Sequence, residues 1–165
     1  MKNLAIVCAS GIGDALIVHS IADLAREQGW IPTTYTNHLQ GLASWLPGFS
    51  FALQPSLDTI PESLSSYDAI FLQHDNSPKA FAIKALPIPL FTFYGAHLIS
   101  KHGSLTKLDY VCDRNKTMVE NIALAAEKFF GQKHFDNGLR PPPGLIHCRF
   151  PKRIAIHPTA SGSDK

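Results

Sequence analysis

The spacing of hydrophobic positions changes within the first part of the chain. Residues 4–8 form a continuous apolar run with the length and composition of a buried strand. Gly11 and Gly13 then predict a tight turn. After the turn, apolar residues recur three and four positions apart, which predicts an amphipathic helix that ends near Gly29. The chain therefore opens with a strand, a glycine turn and a helix.

Strand and helix patterns alternate along the rest of the sequence. Further strands are predicted at 31–36, 51–53, 67–73, 90–94, 110–112 and 153–158, and further helices at 38–46, 77–86 and 115–131. A Pro/Ser-rich connection follows the third strand, residues 95–113 are mainly loop, and the Pro-Pro-Pro-Gly cluster at 141–144 predicts a stiff linker. The alternation predicts an α/β fold in which a parallel sheet carries helices on both faces.

Composition narrows the class of protein. The chain has 165 residues, 45% of them hydrophobic and 17% charged, with a formal net charge of +2. These values indicate a soluble globular domain, and the scattered basic residues argue against a nucleic-acid partner. The three cysteines are widely spaced, which predicts a reduced, cytoplasmic protein without a zinc site or disulfide framework. No apolar stretch is long enough to predict a signal peptide or a membrane span.

Asp14 is the main candidate for chemistry. It falls in the first turn of the predicted helix, at the carboxyl edge of the first strand, where open α/β sheets bind ligands. A helix cap is the alternative interpretation, because Asp is a preferred capping residue. A dinucleotide fingerprint does not fit, because its third glycine falls on Leu16 and no acidic residue ends the second strand. We therefore expect no nicotinamide or flavin cofactor.

Two segments together resemble a known family. Residues 11–16 (Gly-Ile-Gly-Asp-Ala-Leu) follow the first strand, and residues 156–165 (Ile-His-Pro-Thr-Ala-Ser-Gly-Ser-Asp-Lys) end the chain. This combination is similar to the heptosyltransferases, the family 9 glycosyltransferases of lipopolysaccharide core assembly. The helix at 115–131 also resembles the helix that precedes the family's interdomain linker. The resemblance covers about half of a typical member.

The resemblance implies a GT-B architecture, with two facing Rossmann-like domains. Residues 1–140 would be the amino-terminal, acceptor-binding domain, 141–152 the linker, and 153–165 the truncated start of the donor-binding domain. It further implies an ADP-heptose type of nucleotide-sugar donor, a lipid-linked saccharide of the lipopolysaccharide core as acceptor, and transfer with inversion that needs neither a metal nor another cofactor. Peripheral contact with the inner face of the inner membrane would fit such an acceptor. A homodimer could form through the face exposed by truncation.

The resemblance also assigns roles to residues. Asp14 matches the family's general base, and Thr159, Ser161 and Lys165 lie in the segment that matches its loop for the donor phosphates. Three residues of the glycine turn (Gly11, Ile12 and Gly13) are expected to contact substrate, together with His74, His97 and Lys101.

Several of these residues also have simpler interpretations. His74 and Asp75 follow a predicted strand and can line the acceptor groove, although an Asx turn would equally explain Asp75. Lys101 could meet a phosphorylated or carboxylated sugar, but an exposed lysine needs no special role. Without the donor half, the chain alone is expected to be inactive. The alternative function is a stand-alone Rossmann-like binding or interaction module without catalysis.

Overall fold

The computed structural model of the protein describes residues 1–9, 11–95 and 105–145. Its strands are β1 Lys2–Val7, β2 Trp30–Tyr35, β3 Ser50–Ala52, β4 Ala69–His74, β5 Leu90–Tyr94 and β6 Asp109–Val111. Its α-helices are α1 Ile12–Glu27, α2 Ile60–Leu64, α3 Pro78–Lys84 and α4 Met118–Phe130, with 3₁₀ helices at Leu39–Trp45 and Leu57–Thr59. The six strands form one parallel sheet in the order β3-β2-β1-β4-β5-β6. This is the doubly wound, Rossmann-like order, so the predicted α/β fold is confirmed.

The sheet is buried on both faces. In β1, Leu4 and Ile6 point to the face covered by α1 and α4, whereas Ala5 and Val7 point to the face covered by α2 and α3. A strand with helices on both sides must be apolar at successive positions. This requirement explains why β1 appears in the sequence as a continuous hydrophobic run.

The two long helices begin differently. Thr117 caps α4 by accepting a hydrogen bond from the Glu120 N–H, and the Glu120 side chain accepts one from the Thr117 N–H, so a complete capping box is formed. The helix ends at Gly131, whose φ of 78° is left-handed. By contrast, Gly11 is the N-cap of α1 and has no side-chain cap hydrogen bond.

Two predicted segments differ in detail from the structure. The helix expected at 38–46 is a 3₁₀ helix, and the connection after β3 contains α2, which the sequence analysis missed. Ile60 and Leu64 lie four residues apart on α2 and are 1% and 0% exposed beneath the sheet. Burial of each contributes about 2 kcal/mol, so packing stabilises a helix that composition alone does not suggest.

The described residues end with a segment that returns to the domain. After α4, the chain passes along α1, and the Arg140 N–H donates to the Trp45 carbonyl at 2.7 Å. The predicted strand at 153–158 lies outside the described residues. None of the described helices combines the length and the apolar character that crossing a bilayer would need.

Candidate functional site

The strand order reverses next to β1, and this point places the candidate site. From β1, the chain proceeds outward to β2 and β3 on one side and to β4, β5 and β6 on the other. β1 and β4 are parallel neighbours, with Val7 opposite Leu72 at their carboxyl ends. In open α/β sheets, the crevice beyond such a pair of strand ends is the usual place for a ligand.

The glycine turn presents Asp14 at this edge. Helix α1 begins at Ile12, so Asp14 is its third residue, and Gly11, with extended backbone angles (φ −92°, ψ 141°), occupies the N-cap position instead. The interpretation of Asp14 as the capping residue is therefore wrong. The Asp14 carboxylate lies against Gly11. A Cβ atom on residue 11 would be only 2.9 Å from Asp14 Oδ2. A side chain at position 11 would displace the carboxylate.

The surroundings of Asp14 leave its carboxylate available. Asp14 is half-buried, whereas its neighbours Ile12 and Gly13 are exposed. Among the residues that the structure describes, Asp14 makes no hydrogen bond or ion pair through its side chain. The positive end of the α1 dipole favours a negative charge at this position. The arrangement can hold a carboxylate ready to accept a proton at the edge of the sheet.

Cys8 lies beside the turn but is not a nucleophile. It is 3% exposed, and burial, with a smaller contribution from the Asp14 charge, raises its pKa to about 12. The thiol therefore stays protonated at neutral pH, and only the thiolate is reactive. Cys8 therefore acts as a small hydrophobic core residue.

Two glutamines that the sequence analysis did not single out hold the chain just before the turn. Gln54 Nε2 donates to the Cys8 carbonyl at 2.5 Å, and the Ala9 N–H donates to Gln73 Oε1 at 2.9 Å. Both glutamines also line a narrow cleft of about 20 Å³, together with Val7, Leu72, Asp75, Lys79 and other residues. Polar residues at strand ends were the signal that could have identified them.

His74 lies at the same edge but on the opposite face of the sheet from α1. It ends β4 and is 2% exposed. Its ring packs against Phe81 and Tyr94, with ring centroids 5.0 Å apart in each case, and its Nδ1 accepts a hydrogen bond from the Asn76 N–H at 3.2 Å. A ligand that contacted both Asp14 and His74 would have to extend across the strand ends.

Asp75 forms the Asx turn that was the alternative interpretation of this residue. Its Oδ1 accepts a hydrogen bond from the Ser77 N–H at 3.0 Å, which is an Asx turn. Ser77 then caps α3 by accepting from the Ala80 N–H, and Pro78 takes the first helical position. This turn fixes the start of the helix that forms one wall of the cleft.

Other predicted site residues fall in parts of the chain that the structure does not describe. The expected acceptor-loop residues His97 and Lys101 lie outside the described ranges. So do the expected donor-phosphate residues Thr159, Ser161 and Lys165. Their roles remain predictions.

A second polar cluster joins α1 to the segment after α4. Asp23 accepts from His134 Nε2 at 2.9 Å and pairs with Arg26 at 3.1 Å. His134 Nδ1 is 3.8 Å from the Glu27 carboxylate. Ligand atoms of Asp23, Glu27 and His134 lie within 4.8 Å of one another and could in principle hold a metal ion. The Arg26 guanidinium disfavours a cation there, so we interpret the cluster as an ion-pair anchor.

Comparisons with known proteins give only distant likenesses. No family model matches the chain, and no curated protein matches it. A hypothetical protein from Streptococcus mutans is 16% identical, with a TM-score of 0.48 over 67% of this chain and 45% of that one. A candidate epimerase from Bacteroides thetaiotaomicron is 16% identical, with a TM-score of 0.45 over 78% of this chain and 64% of that one.

The third solved structure is similar in size to this chain. It is a Rossmann-fold NAD(P)-binding family protein from Shigella flexneri, 14% identical, with a TM-score of 0.48 over 90% of this chain and 98% of that one. All three TM-scores are low, so these likenesses say nothing about what this chain binds or which reaction it serves.

Proposed function

We propose that the chain is the acceptor-binding half of a heptosyltransferase-like glycosyltransferase, with Asp14 as the general base. The observation that carries this proposal is the half-buried Asp14 carboxylate at the carboxyl edge of β1, where the strand order reverses. The donor would be an ADP-heptose type of nucleotide sugar, and the acceptor a lipid-linked saccharide of the lipopolysaccharide core.

The reaction requires one proton acceptor at the sugar hydroxyl. The acceptor oxygen attacks the anomeric carbon of the donor, the bond from that carbon to the diphosphate oxygen breaks, and Asp14 takes the hydroxyl proton. A positioned base of this kind contributes about 10²–10⁴-fold in rate. Attack from the face opposite the leaving diphosphate inverts the anomeric carbon, and no metal is required for the proton transfer.

The position of Asp14 supports this role better than a structural one. A carboxylate that is already paired with a cation is a weak proton acceptor, and among the described residues none pairs with Asp14. The exposed Ile12 and Gly13 leave room for a substrate to approach. Gly11 keeps the space beside the carboxylate open.

The remaining parts of the site are proposed on the sequence resemblance. His97 and Lys101 would contact the acceptor, and Thr159, Ser161 and Lys165 would contact the donor phosphates. The departing diphosphate gathers negative charge, which backbone N–H groups, hydroxyls and an ammonium group can stabilise. Peripheral contact with the cytoplasmic face of a membrane and homodimer formation belong to the same proposal.

Acceptor binding can be tested on the 165-residue chain itself. Deacylated lipopolysaccharide core oligosaccharides are titrated into ¹⁵N-labelled protein, and we expect the largest shifts at Gly11, Gly13 and neighbouring amides. Binding elsewhere on the surface, or none at millimolar oligosaccharide, would contradict the proposal. Mixed with ADP-heptose and the same oligosaccharides, this chain is expected to show no transfer.

The role of Asp14 is tested in a chain that continues into a donor-binding half. We expect Asp14→Asn to lower kcat by about 10²–10⁴-fold with little change in KM, because the amide cannot accept the proton. Asp75→Asn is the matched control, since asparagine can also form the Asx turn and should leave kcat unchanged. An unchanged kcat in Asp14→Asn would show that Asp14 is not the general base.

A further inference from the structure

One peptide group at the end of β1 is held from both sides by side chains. The peptide bond between Cys8 and Ala9 supplies a carbonyl and an N–H. Gln54 Nε2 donates to this carbonyl at 2.5 Å, and the N–H donates to Gln73 Oε1 at 2.9 Å. The chemistry fixes the amide orientation of both glutamines, because a carbonyl only accepts and an N–H only donates.

These contacts begin where the backbone pairing of β1 ends. The register with β4 extends to Val7 and Leu72, and the last bond to β2 is from the Cys8 N–H to the Tyr35 carbonyl at 3.2 Å. Beyond this point, the side chains of Gln73 and Gln54 form the hydrogen bonds that backbone groups of neighbouring strands form along β1. Gln73 reaches from β4, and Gln54 reaches from the loop after β3. The ordered hydrogen-bonding pattern thus extends one peptide group further toward Gly11.

Gln73 is unusually placed for a residue with only a packing role. It is 7% exposed, and a glutamine side chain loses much rotational freedom when it is buried. An apolar residue would fill the same volume but would remove the acceptor of the half-buried Ala9 N–H, which is costly. Gln54 is held in turn, because its own N–H donates to Asn37 Oδ1 at 3.2 Å.

We propose that Gln73 and Gln54 are positioning residues that fix the Cys8–Ala9 peptide and thereby set where the glycine turn places Asp14. This inference rests on the proposed function, since it assigns the two glutamines a role through the proposed base. Neither glutamine needs to touch the substrate. Their effect is to fix the direction in which the chain leaves β1, two residues before Gly11.

The decisive experiment compares NMR spectra of the 165-residue chain with those of Gln73→Met, which keeps the shape of the side chain but removes the acceptor. We expect hydrogen exchange of the Ala9 amide to accelerate about tenfold. We also expect the amide resonances of Gly11 and Gly13 and the side-chain carboxyl carbon of Asp14 to shift. Gln73→Glu, which keeps an acceptor oxygen, should restore the resonances of both glycines.

Two further variants keep the test decisive if Gln73→Met folds poorly. Gln54→Met removes the hydrogen bond on the other side of the peptide group, at a half-buried position, and should shift the same glycine resonances. Gln28→Met is the control, because Gln28 Nε2 also donates to a backbone carbonyl, that of Phe130 at 3.0 Å, but at the end of α1 opposite Gly11. If Gln73→Met and Gln54→Met lower the melting temperature as Gln28→Met does but leave Gly11, Gly13 and Asp14 unchanged, the proposal is overturned.

The oligosaccharide titration separates this proposal from the proposed function. If the wild-type chain binds the core oligosaccharides, Gln73→Met should bind them about tenfold more weakly. A displaced turn would lose about one well-placed contact with the ligand, and about 1.4 kcal/mol corresponds to a tenfold change in affinity. Equal binding together with unmoved glycine resonances would overturn the positioning role alone. If the wild-type chain does not bind them but the resonances of Gly11, Gly13 and Asp14 shift as expected, the proposed function fails and the positioning of the turn stands.

Discussion

Asp14 and Asp23 lie on the same helix, α1, but their surroundings differ. Asp23 is 4% exposed, accepts a hydrogen bond from His134 and pairs with Arg26, and the contact with His134 joins the helix to the segment after α4. Asp14 is half-buried and makes no such contact with any described residue. The difference shows that one carboxylate is required by the fold while the other is left available. This distinction can be tested by measuring stability separately from function.

The largest expected effect concerns the buried aspartate. We expect Asp23→Ala to lower the free energy of unfolding by about 2 kcal/mol, because it removes the hydrogen-bond acceptor of His134 and the ion-pair partner of Arg26. Asp14→Ala is the matched control and should cost only about 0.5 kcal/mol, its interaction with the helix dipole. Urea unfolding of the three proteins would measure both values. Equal losses for the two variants would remove the distinction between them.

The second-largest expected effect is a loss of stability at acidic pH, which is caused by the buried His19 of α1. His19 is 0% exposed, and burial holds its pKa below the usual 6.5, although its Nδ1 donates to the Asn137 carbonyl at 2.8 Å. Well above pH 6.5 the ring is neutral in both the folded and the unfolded chain. Below this pH the unfolded chain binds a proton that the folded chain does not, so stability falls by at most about 1.4 kcal/mol per pH unit.

His19→Phe tests this assignment. The variant should lose less stability than the wild type between pH 7.5 and 5.5, as measured by the midpoint of urea unfolding at each pH. Parallel profiles for the wild type and His19→Phe would show that the acid sensitivity arises elsewhere.

The smallest expected effect concerns the beginnings of α1 and α4. Thr117→Ala removes the side-chain oxygen that accepts the Glu120 N–H, so we expect a loss of about 1 kcal/mol. Thr117→Ser keeps the oxygen and should cost much less. Thermal unfolding of the two variants would measure the difference. If alanine and serine behave alike, the capping box does not distinguish α4 from the uncapped start of α1.

Much of the fold could be predicted because its signals are local. The apolar run of β1, the period of α1 and the end of α4 at Gly131 are each visible within a short window of sequence. Helix α2 was missed because its stability comes from the burial of Ile60 and Leu64 against the sheet. No local pattern in a Pro/Ser-rich stretch reports such packing.

The candidate site could be predicted only in part. The position of Asp14 follows from the strand, turn and helix around it, so the sequence was sufficient to place it at the sheet edge. The contacts of Gln54 with Cys8 and of Gln73 with Ala9 join residues 46 and 64 positions apart. They depend on which strands become neighbours, and the spacing of residues along the chain does not determine that order.

The outermost strands of the described sheet have a consequence for how copies of this protein meet. β3 and β6 are only three residues long, so each offers few unpaired backbone groups to an incoming strand. Lys128 also covers part of the edge strand β6, because its Nζ donates to the Asp109 carbonyl at 2.5 Å. Edge-to-edge pairing of strands between molecules is therefore disfavoured. Concentrated solutions should resist fibril formation through these two edge strands.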